Sequence, residues 1–368
     1  MSTKKDKFSL KDKLYMDLAF DLARAREGLT GTNPSVGCVI VKNDKIISIG
    51  QTSYNGRPHA ETNAIRNTSE NLKNSTMYIT LEPCSHHGVT SPCTSAIIKS
   101  KIGKVIYSVI DIDKRVSGKT FKILNLKKIK VQIGLLKDKI NEFYKPYFYN
   151  REKKLPFVNG KIAVAKNNLI YSKNKKKITN WRSDKFTHLL RYKNDSILIS
   201  YKTLNKDNPK LNCRLNNLKK FSPKRIILDN RLETNTKSYI FKTANQNNTI
   251  FFYNEAKKSK ISKFKKKKIP IFKSKTNVRK QFDIPIILKK LYNLGCRNIL
   301  VEGGNDLTNA FLKKKIFNKF YLFKSPKTLS KFNEYKEFNG FNILKKNYKI
   351  KTKINSNFGK DTITLYKN

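Results

Sequence analysis

The chain has 368 residues, with 79 Lys and Arg against 26 Asp and Glu, giving a formal net charge of +53. That length supports two domains, each able to bury its own core. Its five cysteines form no framework of close pairs, which argues against a secreted disulfide scaffold and for a reducing compartment, the cytoplasm. No stretch has the apolar length of a signal peptide or a membrane span, so no membrane partner is expected.

The basic excess raises nucleic acid as a partner. Lysine and asparagine are abundant throughout, however, as in the runs 173–177 and 265–268, while arginine is scarce and the aromatics do not interleave with the basic runs. This pattern favours compositional bias over a surface for a specific nucleic acid. Such a field would still steer phosphorylated small molecules.

In chain order, Leu14, Leu18, Leu22 and Ala25 at helical spacing predict an amphipathic helix over 11–26, ended by Gly28 and Gly31. Strands are expected over 36–41 and 46–49, joined by a turn at Asn43-Asp44. The next stretch, HAETNAIRNTSENLKNSTMYITLEPCSHHGVTSPC at 59–93, holds three of the four histidines and two of the five cysteines. His59-Ala60-Glu61, Pro83-Cys84 and Pro92-Cys93 are the signature of a zinc hydrolytic deaminase. Three protein ligands, His59, Cys84 and Cys93, leave the fourth tetrahedral position of a Zn2+ ion for water. Glu61 is placed to take the water's proton and deliver it to the leaving nitrogen. Pro58 and Pro92 suit the first turns of helices, which would set both cysteines near helix N-termini. A strand over 75–81 leads into Glu82-Pro83-Cys84. A structural zinc knot remains the alternative, although it has no need of Glu61.

Further strands are expected over 104–109 and 130–133, with a polar loop over 111–119 between them and a closing helix from Asn141. Alternating strands and helices predict a three-layer α/β/α domain over 1–150. A polar linker at 151–155 precedes Pro156 and a second α/β domain over 151–368. Its expected strands are 157–165, 196–200, 225–228, 250–253 and 298–301, with helices over 186–192, 284–294 and 307–313. From 321 the pattern is poor until a final strand over 361–366. Glu302-Gly303-Gly304-Asn305 reads as a glycine turn opening a helix, where backbone N–H groups can meet a phosphate.

The cysteines stand nine positions apart, in TLEPCSHHGVTSPC, rather than as Cys-x-x-Cys. Together with NPSVGCVIV at 33–41, this resembles the RibD family of riboflavin biosynthesis, which joins a pyrimidine deaminase to a reductase. The resemblance extends through Ile178-Thr179, Leu189-Leu190-Arg191, Asp207-Asn208-Pro209 and Ile226-Ile227-Leu228-Asp229, and fades after 320. It implies a cytidine-deaminase-like domain followed by a dihydrofolate-reductase-like domain using NADPH. The implied reaction removes the ring 2-amino group of a phosphorylated diaminopyrimidine, then reduces its ribosyl group to ribityl. By the same resemblance Asn33 and His86 contact the first substrate, and the loop over 111–119 shapes its pocket. Ala163, Thr203, Asp207 and the turn Gly304, Asn305, Asp306, Leu307, Thr308, Asn309 and Ala310 contact NADPH. Lys161, Arg191, Leu211, Arg214 and Glu302 contact the second substrate.

Four departures from the family stand out. Val89 replaces a basic residue and Thr52 a histidine. Ala165-Lys166-Asn167-Asn168 replaces Ser-Leu-Asp-Gly, and Lys177 replaces a tryptophan, with Trp181 four positions on. Lys177 is expected to make up part of the lost aromatic contact through its charge. A deaminase with a degenerate reductase half, or a nucleic-acid base deaminase, are the competing readings. Homo-oligomerisation is compatible with any of them.

Overall fold

The computed structural model describes residues 8–173, 177–278, 281–332 and 334–367. Positions 1–7 and 368 of the expected domains, and 174–176 of the lysine run, lie outside the described residues. The chain divides after Lys153 into two compact units.

In the first unit the order is α1 (Leu10–Ala25), β1 (Gly37–Lys42), β2 (Lys45–Gln51), α2 (Ala60–Arg66), β3 (Thr76–Leu81) and α3 (Cys93–Lys99). It continues with β4 (Lys104–Val109), α4 (Lys119–Leu126), β5 (Lys130–Ile133) and α5 (Lys137–Lys153). The five strands form one sheet in the order β2-β1-β3-β4-β5. Asn43 and Asp44 both adopt positive φ, the geometry that lets a two-residue turn follow the twist of β1 and β2.

Two glycines show how the layers close. A Cβ on Gly37 would stand 1.8 Å from the Ala19 carbonyl oxygen of α1, and one on Gly50 would stand 2.2 Å from that of Ala60 in α2. Gly50 pairs with Cys38, the neighbour of Gly37, so the two glycines face opposite sides of the sheet. Helices therefore cover both faces. The buried side of α1 is Met16, Ala19, Phe20 and Ala23, and Leu14 is 68% exposed. The expected leucine stripe is displaced because close approach to Gly37 requires the alanine face of the helix.

The second unit runs β6 (Phe157–Val164), β7 (Leu169–Ser172), α6 (Trp181–Tyr192), β8 (Ser196–Ser200), α7 (Tyr201–Asp207) and β9 (Lys224–Leu228). Then come α8 (Tyr239–Thr243), β10 (Thr249–Tyr253), α9 (Lys258–Lys266), β11 (Ile271–Lys273), α10 (Ile284–Asn293), β12 (Asn298–Val301) and α11 (Asn305–Lys313). The chain closes with β13 (Lys319–Lys324), β14 (Tyr335–Glu337), α12 (Phe341–Asn347), β15 (Ile350–Lys353) and β16 (Thr362–Lys367). Nine strands form a sheet in the order β11-β10-β9-β8-β12-β6-β13-β16-β15, while β7 and β14 pair separately. Ile197, Ile199, Ile227, Phe251 and Leu300 join one apolar core, and Leu198, Ile226, Leu228, Ile250, Phe252, Ile299 and Val301 join another. Consecutive strand residues thus serve opposite faces, which is why these parallel strands read as continuous apolar runs.

Three expectations are corrected. The linker at 151–155 is helical as far as Lys153, because α5 continues through it. Helix α6 starts at Trp181, five residues before the expected 186, capped by Asn180, whose side chain accepts from the N–H groups of Arg182 and Ser183. The segment after 321 is ordered into three strands and a helix, ending in the antiparallel pair β15–β16. Strand β15 is exposed along its length, so it carries no apolar alternation to read.

Candidate active sites

In the first unit, His59 is the N-cap of α2 and Cys93 the first residue of α3. Strand β3 ends at Leu81, three residues before Cys84. Their ligand atoms all lie within 4.8 Å of one another. His59 Nδ1 is 3.6 Å from Cys84 Sγ and 3.4 Å from Cys93 Sγ. A tetrahedral zinc with Zn–S near 2.3 Å and Zn–N near 2.0 Å would set these separations at about 3.5 Å. The donor set and its spacing fit Zn2+. Cys93 opens α3, and Cys84, beyond the end of β3, accepts the Cys93 N–H at 3.3 Å, so both thiols stand at the N-terminus of that helix.

Electrostatics divide the two thiols. Cys84 is pulled down to about 4, first by the Cys93 thiol bonding to it and then by the His59 ring, against its burial. The Cys93 thiol is pushed up by the same bond and by its burial. The pair shares one proton, which metal binding would release. Glu61, 3% exposed, is raised to about 6 chiefly by burial, with His59 opposing.

Asn33, Glu61, His86, His59 and Cys84 line one pocket. Asn33 donates its Nδ2 to the Gly56 carbonyl at 3.0 Å. The buried Nδ1 of His86 has no hydrogen-bond partner among the described residues, which suits a residue kept for a ligand. The loop over 111–119 does shape the pocket, through Asp111, Asp113, Arg115 and Val116. Several lining residues escape sequence reading: Arg57, Glu82, Tyr147 and Arg151. Glu82 accepts from the backbone N–H groups of Asp111, Gly118 and Thr120 at 3.2, 3.1 and 3.2 Å, stapling that loop to the end of β3. Tyr144, Tyr147 and Arg151 repeat at helical spacing on α5, a signal that the linker assignment concealed.

Of the two departures here, Thr52 is buried and structural. Its Oγ1 accepts the Val36 N–H at 2.9 Å. Val89 is 85% exposed and brings no charge to the pocket.

In the second unit a cavity of about 1130 Å³ collects Lys161, Ala163, Arg191, Thr203, Asp207, Leu211, Glu302, Gly304, Asn305, Asp306, Leu307 and Ala310. That exceeds the ~300–1,000 Å³ of an ordinary small-ligand site and leaves room for two ligands. Thr308, Asn309 and Arg214 are not on its wall. Thr308 is 1% exposed, and Asn309 donates to the Asn305 and Asn339 side chains. Arg214 is exposed, with its Nη1 3.3 Å from Asn212 Oδ1.

Arg191 donates Nε and Nη2 to the two oxygens of Glu302 at 2.7 and 2.8 Å. Burial opposes the Glu302 charge, yet Arg191 and Lys161 outweigh it and hold the carboxyl below its ordinary value. Burial likewise pushes Lys161 down, with Glu302 opposing. Gly303 allows the turn from β12 into α11, since a Cβ there would meet Leu307 Cβ at 2.9 Å. Gly304 is the N-cap of α11 without a side-chain cap, so N–H groups at this helix start are available to an anion.

The altered loop after β6 is sound. Asn168 adopts φ +62°, a left-handed position that asparagine tolerates best after glycine. Asn167 donates to the Leu329 carbonyl at 2.7 Å. Lys177 pairs with Asp184 of α6, its side chain is 66% exposed, and it is not among the residues lining the cavity. Trp181 opens α6 and is 57% exposed.

Residues 9–109 match the cytidine and deoxycytidylate deaminase zinc-binding region, and residues 164–364 match the RibD C-terminal domain. The chain is 33% identical to the riboflavin biosynthesis protein RibD of Aquifex aeolicus, over 97% of this chain and 98% of that one. It is 31% identical to the protein of the same name from Actinobacillus pleuropneumoniae, over 96% and 94%. Among solved structures, the diaminohydroxyphosphoribosylaminopyrimidine deaminase/5-amino-6-(5-phosphoribosylamino)uracil reductase of Thermotoga maritima superposes with a TM-score of 0.78, at 27% identity and 97% and 98% coverage. With one deaminase-type zinc-binding unit, one reductase-type unit and full-length likeness to these relatives, the chain belongs to the RibD family.

Proposed function

We propose that the protein catalyses two successive steps of riboflavin synthesis. The first unit hydrolyses the 2-amino group of 2,5-diamino-6-ribosylamino-4(3H)-pyrimidinone 5′-phosphate, with water adding its oxygen to C2 and ammonia leaving. The second reduces the ribosyl group of the resulting uracil to ribityl with a hydride from NADPH. The observation that carries this reading is the His59, Cys84 and Cys93 triad with buried Glu61 in one pocket, in a chain whose second half is of the RibD reductase type.

His59, Cys84 and Cys93 would hold the zinc, which would supply a water of lowered pKa, near ~7. Glu61 takes a proton from the attacking water and returns it to the departing nitrogen, a task that favours a carboxyl raised toward neutrality. Asn33 and His86 hold the pyrimidine. In the second unit the N-terminus of α11 receives a cofactor phosphate, and Ala163, Thr203 and Asp207 line the dinucleotide's path. Arg191, fixed by Glu302, and Lys161 orient the phosphorylated substrate. No helix among the described residues is long and apolar enough to cross a membrane, and the zinc thiolates favour a reducing compartment, the cytoplasm. The test is purified protein given the diaminopyrimidine: ammonia should appear without NADPH, and NADPH should be oxidised only once that product exists. No ammonia release from zinc-loaded protein would overturn the first activity.

A further inference from the structure

Three guanidinium groups line the pocket of the first unit: Arg57, Arg115 and Arg151. Two converge on one carboxylate. Arg115 donates Nε and Nη2 to Asp113 at 2.9 and 2.6 Å. Arg151 Nη1 stands 4.0 Å from the same group, with its guanidinium 5.2 Å from the Tyr147 ring centre. Two other carboxylates of the pocket are also engaged. Glu82 holds three backbone N–H groups, and Asp111 accepts the Asp113 N–H and faces the Tyr147 hydroxyl.

Arg57 differs. Its Nη1 donates to Thr90 Oγ1 at 2.8 Å, and its Nη2 lies against Gly88, 3.7 Å from where a Cβ would stand. Among the described residues no acidic side chain forms an ion pair with it. Two residues before His59, it lines the pocket and meets the loop between Cys84 and Cys93. That loop contributes Gly88 and a hydroxyl, while Val89 between them is apolar and 85% exposed. A guanidinium satisfied only by a neutral hydroxyl still has N–H groups to give, and its planar fork matches a phosphate better than any other side chain.

We propose that Arg57, assisted by the Thr90 hydroxyl, binds the phosphate of the pyrimidine substrate in the deaminase site and sets the preference for phosphorylated over unphosphorylated substrate. The proposal rests on the deaminase reading given above. Arg115 and Arg151 are instead tied to Asp113 of the loop over 111–119.

The experiment uses full-length, zinc-loaded protein and its Arg57→Gln and Arg57→Lys variants. Ammonia release is followed with the phosphorylated pyrimidine, with its dephosphorylated counterpart, and with inorganic phosphate as competitor. Arg57→Gln should raise KM for the phosphorylated substrate roughly 10- to 100-fold, the worth of a charge-assisted contact. It should leave kcat and the dephosphorylated substrate little changed and lose inhibition by phosphate, and Arg57→Lys should recover part of the affinity. Unchanged KM and phosphate sensitivity would overturn the proposal. An equal loss on both substrates would do the same, since it would assign Arg57 to loop positioning. Zinc content and NADPH oxidation by the second unit report folding of the variants. Should wild type release no ammonia, the deaminase reading fails separately. Calorimetric titration with ribose 5-phosphate still reads the site then: one phosphate site fewer in Arg57→Gln supports the assignment, and equal counts refute it.

Discussion

Gly50→Ala probes the zinc site through a residue that touches no ligand. The added methyl would stand 2.2 Å from the Ala60 carbonyl oxygen and 2.4 Å from the Ala64 nitrogen, where ordinary contacts begin at 3.4 Å. Both atoms are backbone of α2, so no side chain can swing away. Helix and strand must separate by roughly 1 Å, an overpacking that costs about 1–3 kcal/mol. Helix α2 carries Glu61 and is capped by His59. Metal–ligand distances tolerate only about 0.2 Å, and a displacement of this size near reacting atoms can reduce turnover ~100-fold. Deaminase kcat/KM should therefore fall about 100-fold with partial loss of zinc. NADPH oxidation on the deaminated intermediate should persist, because α2 belongs to the other unit. Urea unfolding, metal analysis and the two separate assays read these outcomes. Wild-type zinc content and wild-type ammonia release in Gly50→Ala would refute the reasoning.

Cys84→Ala should lose its zinc by metal analysis while the second unit still oxidises NADPH. Glu302→Gln leaves the Arg191 charge without its partner in a site where the two side chains are 12% and 11% exposed, and should destabilise the second unit by about 3 kcal/mol. Because the Glu302 carboxyl is held below its ordinary 4.5, its contribution is present above that value and lost as pH falls through the depressed one. The stability gap between wild type and Glu302→Gln should accordingly narrow in acid, as thermal unfolding across pH can check. Gly304→Asp sets a negative charge at the helix N-terminus proposed to meet the cofactor phosphate and should weaken NADPH binding at least ~10-fold. Gly304→Ala, whose methyl meets nothing within 4 Å, should bind nearly as wild type.

The zinc triad was legible because each ligand sits in a short local pattern, and the strand and helices carrying them have clear periodicity. The parallel strands of the second unit were legible for a related reason: burial on both faces leaves unbroken apolar runs such as Ile197-Leu198-Ile199. What escaped depends on distant meetings. Glu82 reads as a strand end until its carboxylate is found on the amides of Asp111, Gly118 and Thr120. Arg151 reads as linker until α5 carries it to Asp113. The face of α1 could not be read from leucine spacing, since the decisive contact is between Ala19 backbone and a glycine. The pairing of Lys177 with Asp184 also escaped, because only the early start of α6 brings that carboxylate within reach. Exposed β15, rich in lysine, has no pattern to detect.

The central claim is that two chemically independent sites act in sequence, and Glu61→Gln tests it most directly. With zinc retained, this variant should release no ammonia and oxidise no NADPH when given the diaminopyrimidine. Supplied with the deaminated intermediate, the same protein should oxidise NADPH at the wild-type rate and yield the ribitylamino product. Substantial ammonia release by Glu61→Gln, or failure of wild type to reduce the supplied intermediate, would contradict the account.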